Sequence, residues 1–385
     1  MFDERVFADA LRRARVGRGL SQAEVAERLS VTPQSVSRWE RGEAVPDIGH
    51  LSELSSLLGV SLDALVANRR PGIQGLIGVD AGGSKTDFVL VDTAGNLIDR
   101  VILEKANPNV VGMEETLRVA RRGIELLRPE GIDVLGLFFG GAGMASGDHA
   151  DVVATALKKA LPGVRVFCGT DALNVIACAA DPSFCLAAIS GTGSVVFTSD
   201  RGRVERVGGT GYFFEGAGGG FDVGRDAISA VLKAQDGIGE RTLLTDLVTE
   251  KLGGCAWENI QTLYREGVSY IASFAPLVSR AAAQGDIVAL GILERNSEHM
   301  IRLIREGAKR LKGVKTVVFS GSMLTRDERF RDLVIKGLPD GLTAEVPDFP
   351  PVFGACLHCA RLLGLTELPR RENFMKNEKR GICHA

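Results

Sequence analysis

The character of the chain changes once, near residue 76, and that change decides its architecture. Before it, apolar residues recur at helical spacing with short breaks, and almost nothing reads as a strand. After it, short apolar runs at 76–79, 88–91, 134–139, 164–167, 186–189 and 317–319 alternate with helical stretches, the pattern of α/β structure. Pro71 and Gly72 break the chain between the two regimes. With 385 residues, 45% of them apolar and 24% charged, the sequence can fill two or three globular cores. The expected division is an all-α unit over 1–67 and a linker over 68–74. A first α/β lobe over 75–184 is rejoined by a late helix over 352–365, and a second lobe spans 185–351. The polar residues 366–385 read as a frayed tail. No internal repeat is visible in the sequence.

The strongest local signal runs from Leu20 to Gly42. Ser21 followed by Glu24 is a capping box that starts one helix, with Val25, Ala26 and Leu29 as its inward stripe. Thr32 caps the next helix, and Pro33 sits at its first position, where a missing N–H costs nothing. Ser30 occupies the intervening turn, where a left-handed backbone would favour glycine. Val36 and Trp39 point inward and leave Gln34, Ser35, Ser37 and Arg38 on the outer face. The structural alternative is a small helical bundle that binds protein. The pattern resembles the Xre/Cro family of phage-repressor-type DNA-binding domains over about residues 5–67, with trailing helices at 48–58 and 61–66. The resemblance implies double-stranded DNA as partner, with Gln34, Ser35, Ser37 and Arg38 facing the major groove. It places Gln22 and the cluster Arg12, Arg13, Arg15 and Arg18 near phosphates. Glutamine pairs with adenine and arginine with guanine, each worth ~1–3 kcal/mol of discrimination. A homodimer on a palindromic site is the family habit. A net charge of −2 does not advertise such a partner, and residues 1–70 balance ten arginines with ten acidic residues, so the distribution of charge has to supply the basic face.

Past the boundary, Asp80 ends the first apolar run and precedes Gly82, Gly83, Ser84, Lys85 and Thr86. Because a strand follows the glycines, this is a hairpin whose N–H groups can surround a phosphate chain, not a Walker loop. Asp80 is placed to hold Mg²⁺ through water. A second glycine hairpin, Gly191-Thr192-Gly193, follows Ser190, and Asp171 stands at the end of the run before it. A third run closes in Gly321 and Ser322, a small-residue turn suited to a nucleoside. Two phosphate hairpins with an aspartate between them and a late glycine turn recur in the actin, heat-shock ATPase and sugar-kinase superfamily. Within it the chain resembles the N-acetylglucosamine kinase and BadF/BadG/BcrA ATPase family over residues 76–365. The fold expected is therefore multidomain: an N-terminal all-α helix-turn-helix, then a two-lobed α/β kinase domain of the RNase H-like, actin-like ATPase type. The resemblance implies ATP and Mg²⁺ as cofactors and a sugar or amino sugar as ligand. It makes Asp171 the general base toward a sugar hydroxyl, against the structural alternative of a helix N-cap. It makes Asn107, Ser190 and Thr192 sugar contacts.

The sequence departs from that family at one place that matters. Where the family usually has Gly-Asp-Glu-Gly-Ser, with the acidic residue on the sugar, this chain has Gly216 and Ala217 in place of the acidic pair. Glu215 and Asp222 are the nearest carboxylates that would compensate. Ala81 and Ser84 also replace a commoner glycine and threonine. The nucleotide site is thus more intact than the sugar site.

Other classes fall away. No apolar stretch reaches membrane-spanning length, and Met1 leads into charged residues, so a cytoplasmic protein without membrane contact is expected. Seven scattered cysteines read as reduced core residues, including Cys356 and Cys359 in a helix-like run. No cysteine pair is placed to share an iron–sulfur cluster, which argues against an activator of a radical dehydratase. Two functions remain. One is a transcriptional regulator whose kinase-like body senses a sugar, amino sugar or nucleotide. The other is an active ATP-dependent (amino)sugar kinase, transferring phosphate to an alcohol group, that carries a DNA-binding domain.

Overall fold

A computed structural model describes residues 4–60, Leu62, Leu65, 73–127, 132–214 and 216–378. The N-terminal unit contains α1 (Glu4–Gly17), α2 (Gln22–Arg28), α3 (Pro33–Glu40) and α4 (Ile48–Leu58). Both sequence-read caps form: Ser21 Oγ accepts from Glu24 N while Glu24 returns to Ser21 N, and Thr32 Oγ1 accepts from Ser35 N. Ser30 carries φ 55°, the left-handed value that its turn position demanded. Phe7, Leu11, Val25, Val36, Trp39, Leu54 and Leu58 close one small core. Of the expected helix at 61–66, Leu65 is buried, and residues 61, 63, 64 and 66 lie outside the described ones.

The α/β body contains two sheets. The first is built from β1 (Gln74–Ala81), β2 (Lys85–Asp92), β3 (Leu97–Glu104), β4 (Asp133–Gly141) and β5 (Arg165–Gly169), in the order β3-β2-β1-β4-β5. The second comprises β6 (Phe184–Ser190), β7 (Ser194–Asp200), β8 (Arg203–Val207), β9 (Thr316–Ser320) and β10 (Thr343–Glu345), in the order β10-β9-β6-β7-β8. In both, an antiparallel meander of three strands joins two parallel strands through helical crossovers. The lobes therefore repeat one topology although no repeat is legible in their sequences. Core burial constrains only polarity and period, so unrelated residues satisfy the same framework. A consequence is that each lobe's glycine turn, 82–84 or 191–193, lies at the same corner of its sheet.

The helix Pro351–Leu363 returns to the first sheet and covers its second face. A methyl group on Gly78 would lie 2.6 Å from Cys356 Sγ and from Val352 O, so glycine permits this close approach. Cys356 and Cys359 are core residues, and burial pushes the Cys359 thiol up to about 12. No group of three metal-ligating side chains occurs among the described residues, and no helix there is long and apolar enough to cross a membrane.

The expected frayed tail is wrong for residues 366–378. A helix, Arg371–Glu378, docks on the first sheet with Phe374 fully buried in the same cluster as Phe353. Arg370 N and Asn373 Nδ2 both donate to Ala94 O in the β2–β3 turn, and Glu378 pairs with Arg100, itself bound to Asp87. Composition marked this segment as polar, whereas one phenylalanine and a few polar partners hold it. Residues 379–385 lie outside the described ones.

Candidate functional site

The two glycine hairpins face each other. Ser84 Oγ and Thr192 Oγ1, one from each lobe, lie 3.4 Å apart. In the first hairpin, Gly82 N donates to Lys85 O, and Gly83, Ser84 and Lys85 are exposed at the tip. Thr86, expected among the nucleotide contacts, is not at the surface. It shares a strand face with Phe88 and Leu90, is fully buried, and donates its hydroxyl to Glu104 O.

In the second hairpin, Gly191 N is bonded to Gly193 O, and the N-terminus of the helix Gly220–Gln235 docks against the loop. Gly220 N donates to Gly191 O and Phe221 N to Thr192 O. A Cβ on Gly219 would lie 2.6 Å from Gly193 Cα and Thr192 O. Gly321, with φ 84°, presses on the hairpin from the other side: its Cβ would lie 2.3 Å from the Ser190 carbonyl. Ser322 follows at the exposed start of the short helix Ser322–Thr325. Ser190, expected to touch sugar, is wholly buried. It lies on the Leu186–Ala188 face of β6, toward the core, and donates its hydroxyl to Gly218 O.

Residues 216–219 are pinned by side chains. Arg225 donates to Gly216 O, Ser194 to Ala217 O and Ser190 to Gly218 O. Asn296 Oδ1 accepts from Gly218 N, and Asp222 Oδ2 accepts from Gly219 N. Asp222 is thereby a helix-capping and Arg225-bound residue, not a replacement for the missing acidic pair. Burial raises its carboxyl above the usual carboxylate range. Glu215 lies outside the described residues.

Asp171 immediately precedes the helix Ala172–Ile176, yet its carboxylate makes no capping hydrogen bond to that helix. It accepts instead from Thr170 Oγ1 at 3.0 Å, and burial raises its pKa. A half-buried carboxylate not committed as a cap, with raised basicity, has the attributes of a general base. Asn107 caps the helix Pro108–Val111 through Asn109 N, with Gly143 packed against its Oδ1.

Asn174, which belongs to no sequence motif, joins these parts. It is fully buried, and its Nδ2 donates to Asp80 Oδ1 at 2.7 Å and reaches the carbonyls of Val79 and Gly140. Its Oδ1 has no partner among the described residues. Gly140 and Gly354 make room for it, since Cβ atoms there would lie 2.2 Å from Oδ1 and 2.0 Å from its main-chain oxygen. One helical turn separates Asn174 from Asp171, so this amide ties β1 to the helix that follows Asp171. No local pattern announces it, because its partner Asp80 is 94 residues away.

Burial pushes Asp80 up to about 7, reinforced by the nearby carboxylates of Asp171 and Asp87 and opposed by Asn174 and Lys85. In the unfolded chain an aspartate loses its proton near pH 4. The native state therefore holds the extra proton between about pH 4 and 7, and stability falls as pH rises through that window. In EDTA, Asp80→Asn is expected to remove the decline, making the variant the more stable protein at pH 8 by a few kcal/mol and leaving the two nearly equal at pH 4. Thermal unfolding of both proteins across pH checks it, and parallel profiles would refute the assignment. If a nucleotide brings Mg²⁺ to this hairpin, Asp80 is the carboxylate that would hold it, through water, with Oδ1 already bonded to Asn174.

In the N-terminal unit, Gln34 and Arg38 are exposed on α3. Ser35 and Ser37 are half-buried, with hydroxyls bonded to Thr32 and Arg41. The expectation of a phosphate-facing Gln22 and arginine cluster needs correction. Gln22 Nε2 donates to Glu40 Oε2 at 2.7 Å, Arg15 forms a two-toothed pair with the same carboxylate, and Arg18 donates to Leu58 O. Arg12 remains exposed, and the side chain of Arg13 lies outside the described residues.

Comparison with known proteins agrees with both halves. A model of the BadF/BadG/BcrA/BcrD ATPase family matches residues 77–358. The chain belongs to that family. A helix-turn-helix family model matches residues 11–65. The chain is 28% identical over 242 residues to an N-acetylmuramic acid/N-acetylglucosamine kinase of Clostridium acetobutylicum, covering 60% of this chain and 78% of that one. A structure from Chromobacterium violaceum, provisionally assigned as an N-acetylglucosamine kinase, superposes with a TM-score of 0.60 at 23% identity, over 75% of this chain and 99% of that one. A ROK-family transcriptional regulator homologous to the E. coli MLC protein matches 94% of this chain and 96% of its own, at a TM-score of 0.50 and 12% identity. This member of the ATPase family thus joins a helix-turn-helix unit to a sugar-kinase-like fold.

Proposed function

We propose that the protein is a DNA-binding transcriptional regulator whose kinase-like body binds ATP and a sugar or amino sugar as effector. The observation that carries this reading is an asymmetry. The helix-turn-helix unit has both caps and an exposed Gln34 and Arg38, and the glycine hairpins stand opposed. The 214–220 loop, by contrast, lacks the acidic pair and has its main chain tied down by Ser190, Ser194, Arg225 and Asn296. Effector binding shifts DNA affinity only to the extent that the ligand binds the two states of the protein differently. N-acetylglucosamine and N-acetylmuramic acid, the sugars named for the Clostridium relative, are the first effectors to try. A homodimer fits the need for two half-sites.

Asp171 favours the second reading, an active kinase, because its carboxylate is not a helix cap and is shifted toward basicity. The protein is incubated with Mg·ATP and a panel of sugars, and ADP release is followed in the wild type and Asp171→Ala. Sugar-dependent turnover that falls by about 10²–10⁴ in the variant makes the protein an enzyme. Sugar or nucleotide binding without turnover, together with an effector-dependent change in DNA affinity, supports the regulator.

A further inference from the structure

Two cations compete for one carboxylate beside the first glycine hairpin. Lys85, Asp87 and Val89 alternate along one face of β2. Val89 packs there in the cluster that holds Phe353 and Phe374, from the helices Pro351–Leu363 and Arg371–Glu378. Asp87, its side chain 5% exposed, is therefore the last buried group on that face before Lys85 at the hairpin tip. Its carboxylate is within reach of Lys85 and of Arg100, which β3 places diagonally across from it.

The two do not hold it equally. Arg100 donates from Nε to Oδ1 at 2.9 Å and from Nη2 to Oδ2 at 2.6 Å, whereas Lys85 Nζ stays 3.6 Å from Oδ2. The third nitrogen of Arg100, Nη1, donates to Glu378 Oε1 at 2.6 Å, so the C-terminal helix fixes the guanidinium from its other side. Arg100 is thus 12% exposed and held at all three nitrogens. The Lys85 side chain is 56% exposed and has no other partner among the described residues. Paired N–H groups of a guanidinium match the two oxygens of a carboxylate, a geometry that an ammonium cannot reproduce. Lys85 is also the chain neighbour of Ser84, whose Oγ lies 3.4 Å from Thr192 Oγ1 of the opposed hairpin. The loosely held ammonium therefore belongs to the part of the first hairpin that meets the second.

Resting on the reading that ATP binds at the glycine hairpins, we infer that Arg100 is a positioning residue: by occupying Asp87 it leaves the Lys85 ammonium to the phosphates of the nucleotide. Without Arg100, a buried carboxylate would be short of partners, and the cost of that state draws Lys85 down onto it. The ammonium would then be neutralised within the protein instead of by phosphate. Glu378 gives the C-terminal helix a part in the same arrangement, since it keeps the guanidinium from swinging away from Asp87.

The test is calorimetric titration of the full chain with Mg·ATP. Lys85→Gln and Arg100→Gln are each expected to weaken binding about tenfold, the scale of one lost hydrogen bond to a charged group. Combined, they should bind no more weakly than Lys85→Gln alone, because Arg100 acts through Lys85. A purely structural role for Arg100 predicts that the two losses multiply. Since Arg100→Gln strands a buried carboxylate, Asp87→Asn is also joined to it and thermal midpoints are recorded. That double variant has no carboxylate to capture Lys85, and its ATP affinity should return to within about twofold of wild type. Losses that multiply, a Lys85→Gln protein that binds ATP as wild type does, or an Asp87→Asn, Arg100→Gln protein that stays as weak as Arg100→Gln overturns the inference. A folded wild-type chain that binds no ATP overturns the ATP reading itself, an outcome distinct from the other three.

Discussion

Glu40→Ala is expected to unfold the helix-turn-helix unit and abolish DNA binding while leaving ATP binding in the body intact. The Glu40 side chain is only 3% exposed. It receives Arg15 through two nitrogens and Gln22 through a third, so a single carboxylate ties α1 and α2 to the end of α3. Removing it leaves Arg15, itself 13% exposed, as a buried charge without its carboxylate. Breaking such a pair from one side costs ~3–5 kcal/mol, and a unit of this size has little stability in reserve. Far-ultraviolet circular dichroism and fluorescence of Trp39 would report the loss, and an operator-binding assay the consequence. Glu40→Gln, which keeps an acceptor, should recover part of the stability. A folded, DNA-binding Glu40→Ala protein would show that the pair orients nothing.

Gly321→Ala should cost the body ~2–6 kcal/mol and weaken ATP binding at least tenfold. Two penalties combine. At φ 84° and ψ 152°, Gly321 occupies backbone space essentially reserved for glycine, worth ~1–3 kcal/mol. A methyl group there would also lie 2.3 Å from the Ser190 carbonyl and 2.5 Å from Gly191 N, main-chain atoms that cannot swing aside. Overpacking of this kind costs ~1–3 kcal/mol. The second glycine hairpin must therefore shift, and on the proposed reading ATP would lose N–H groups there. Gly193→Ala is the control, because its Cβ would meet nothing within 4 Å. Its thermal midpoint should stay near the wild-type value. Equal behaviour of the two variants would remove Gly321 from the site's architecture.

Gly321 and the hairpins could be picked out in the sequence because glycine punctuates strands visibly. The reason Gly321 must be glycine is contact with Ser190, which only the parallel pairing of β6 with β9 creates. Thr86 and Ser190 sit within glycine motifs, yet strand period places both inside. Each alternates in register with inward neighbours, Phe88 and Leu90 or Leu186 and Ala188, and that signal was available. Asn174 had no such signal, and neither did the pairing of Arg15 and Gln22 with Glu40, since helical spacing gives a face but not its partner.

The sequence by itself determined the elements whose causes are local. Caps at Ser21 and Thr32, proline at a helix start, strand-length apolar runs and glycine turns act within a few residues, so they specified a helix-turn-helix unit followed by a two-lobed α/β body. The tertiary structure alone decided which polar groups became structural and which stayed at the site. It turned Ser190, Thr86 and Asp222 inward, seated Phe374 under a polar tail, and set Asn174 between Asp80 and the helix of Asp171. The physical reason is the same throughout: a buried polar group takes whatever partner the packed sheets bring to it, and that partner lies far away along the chain.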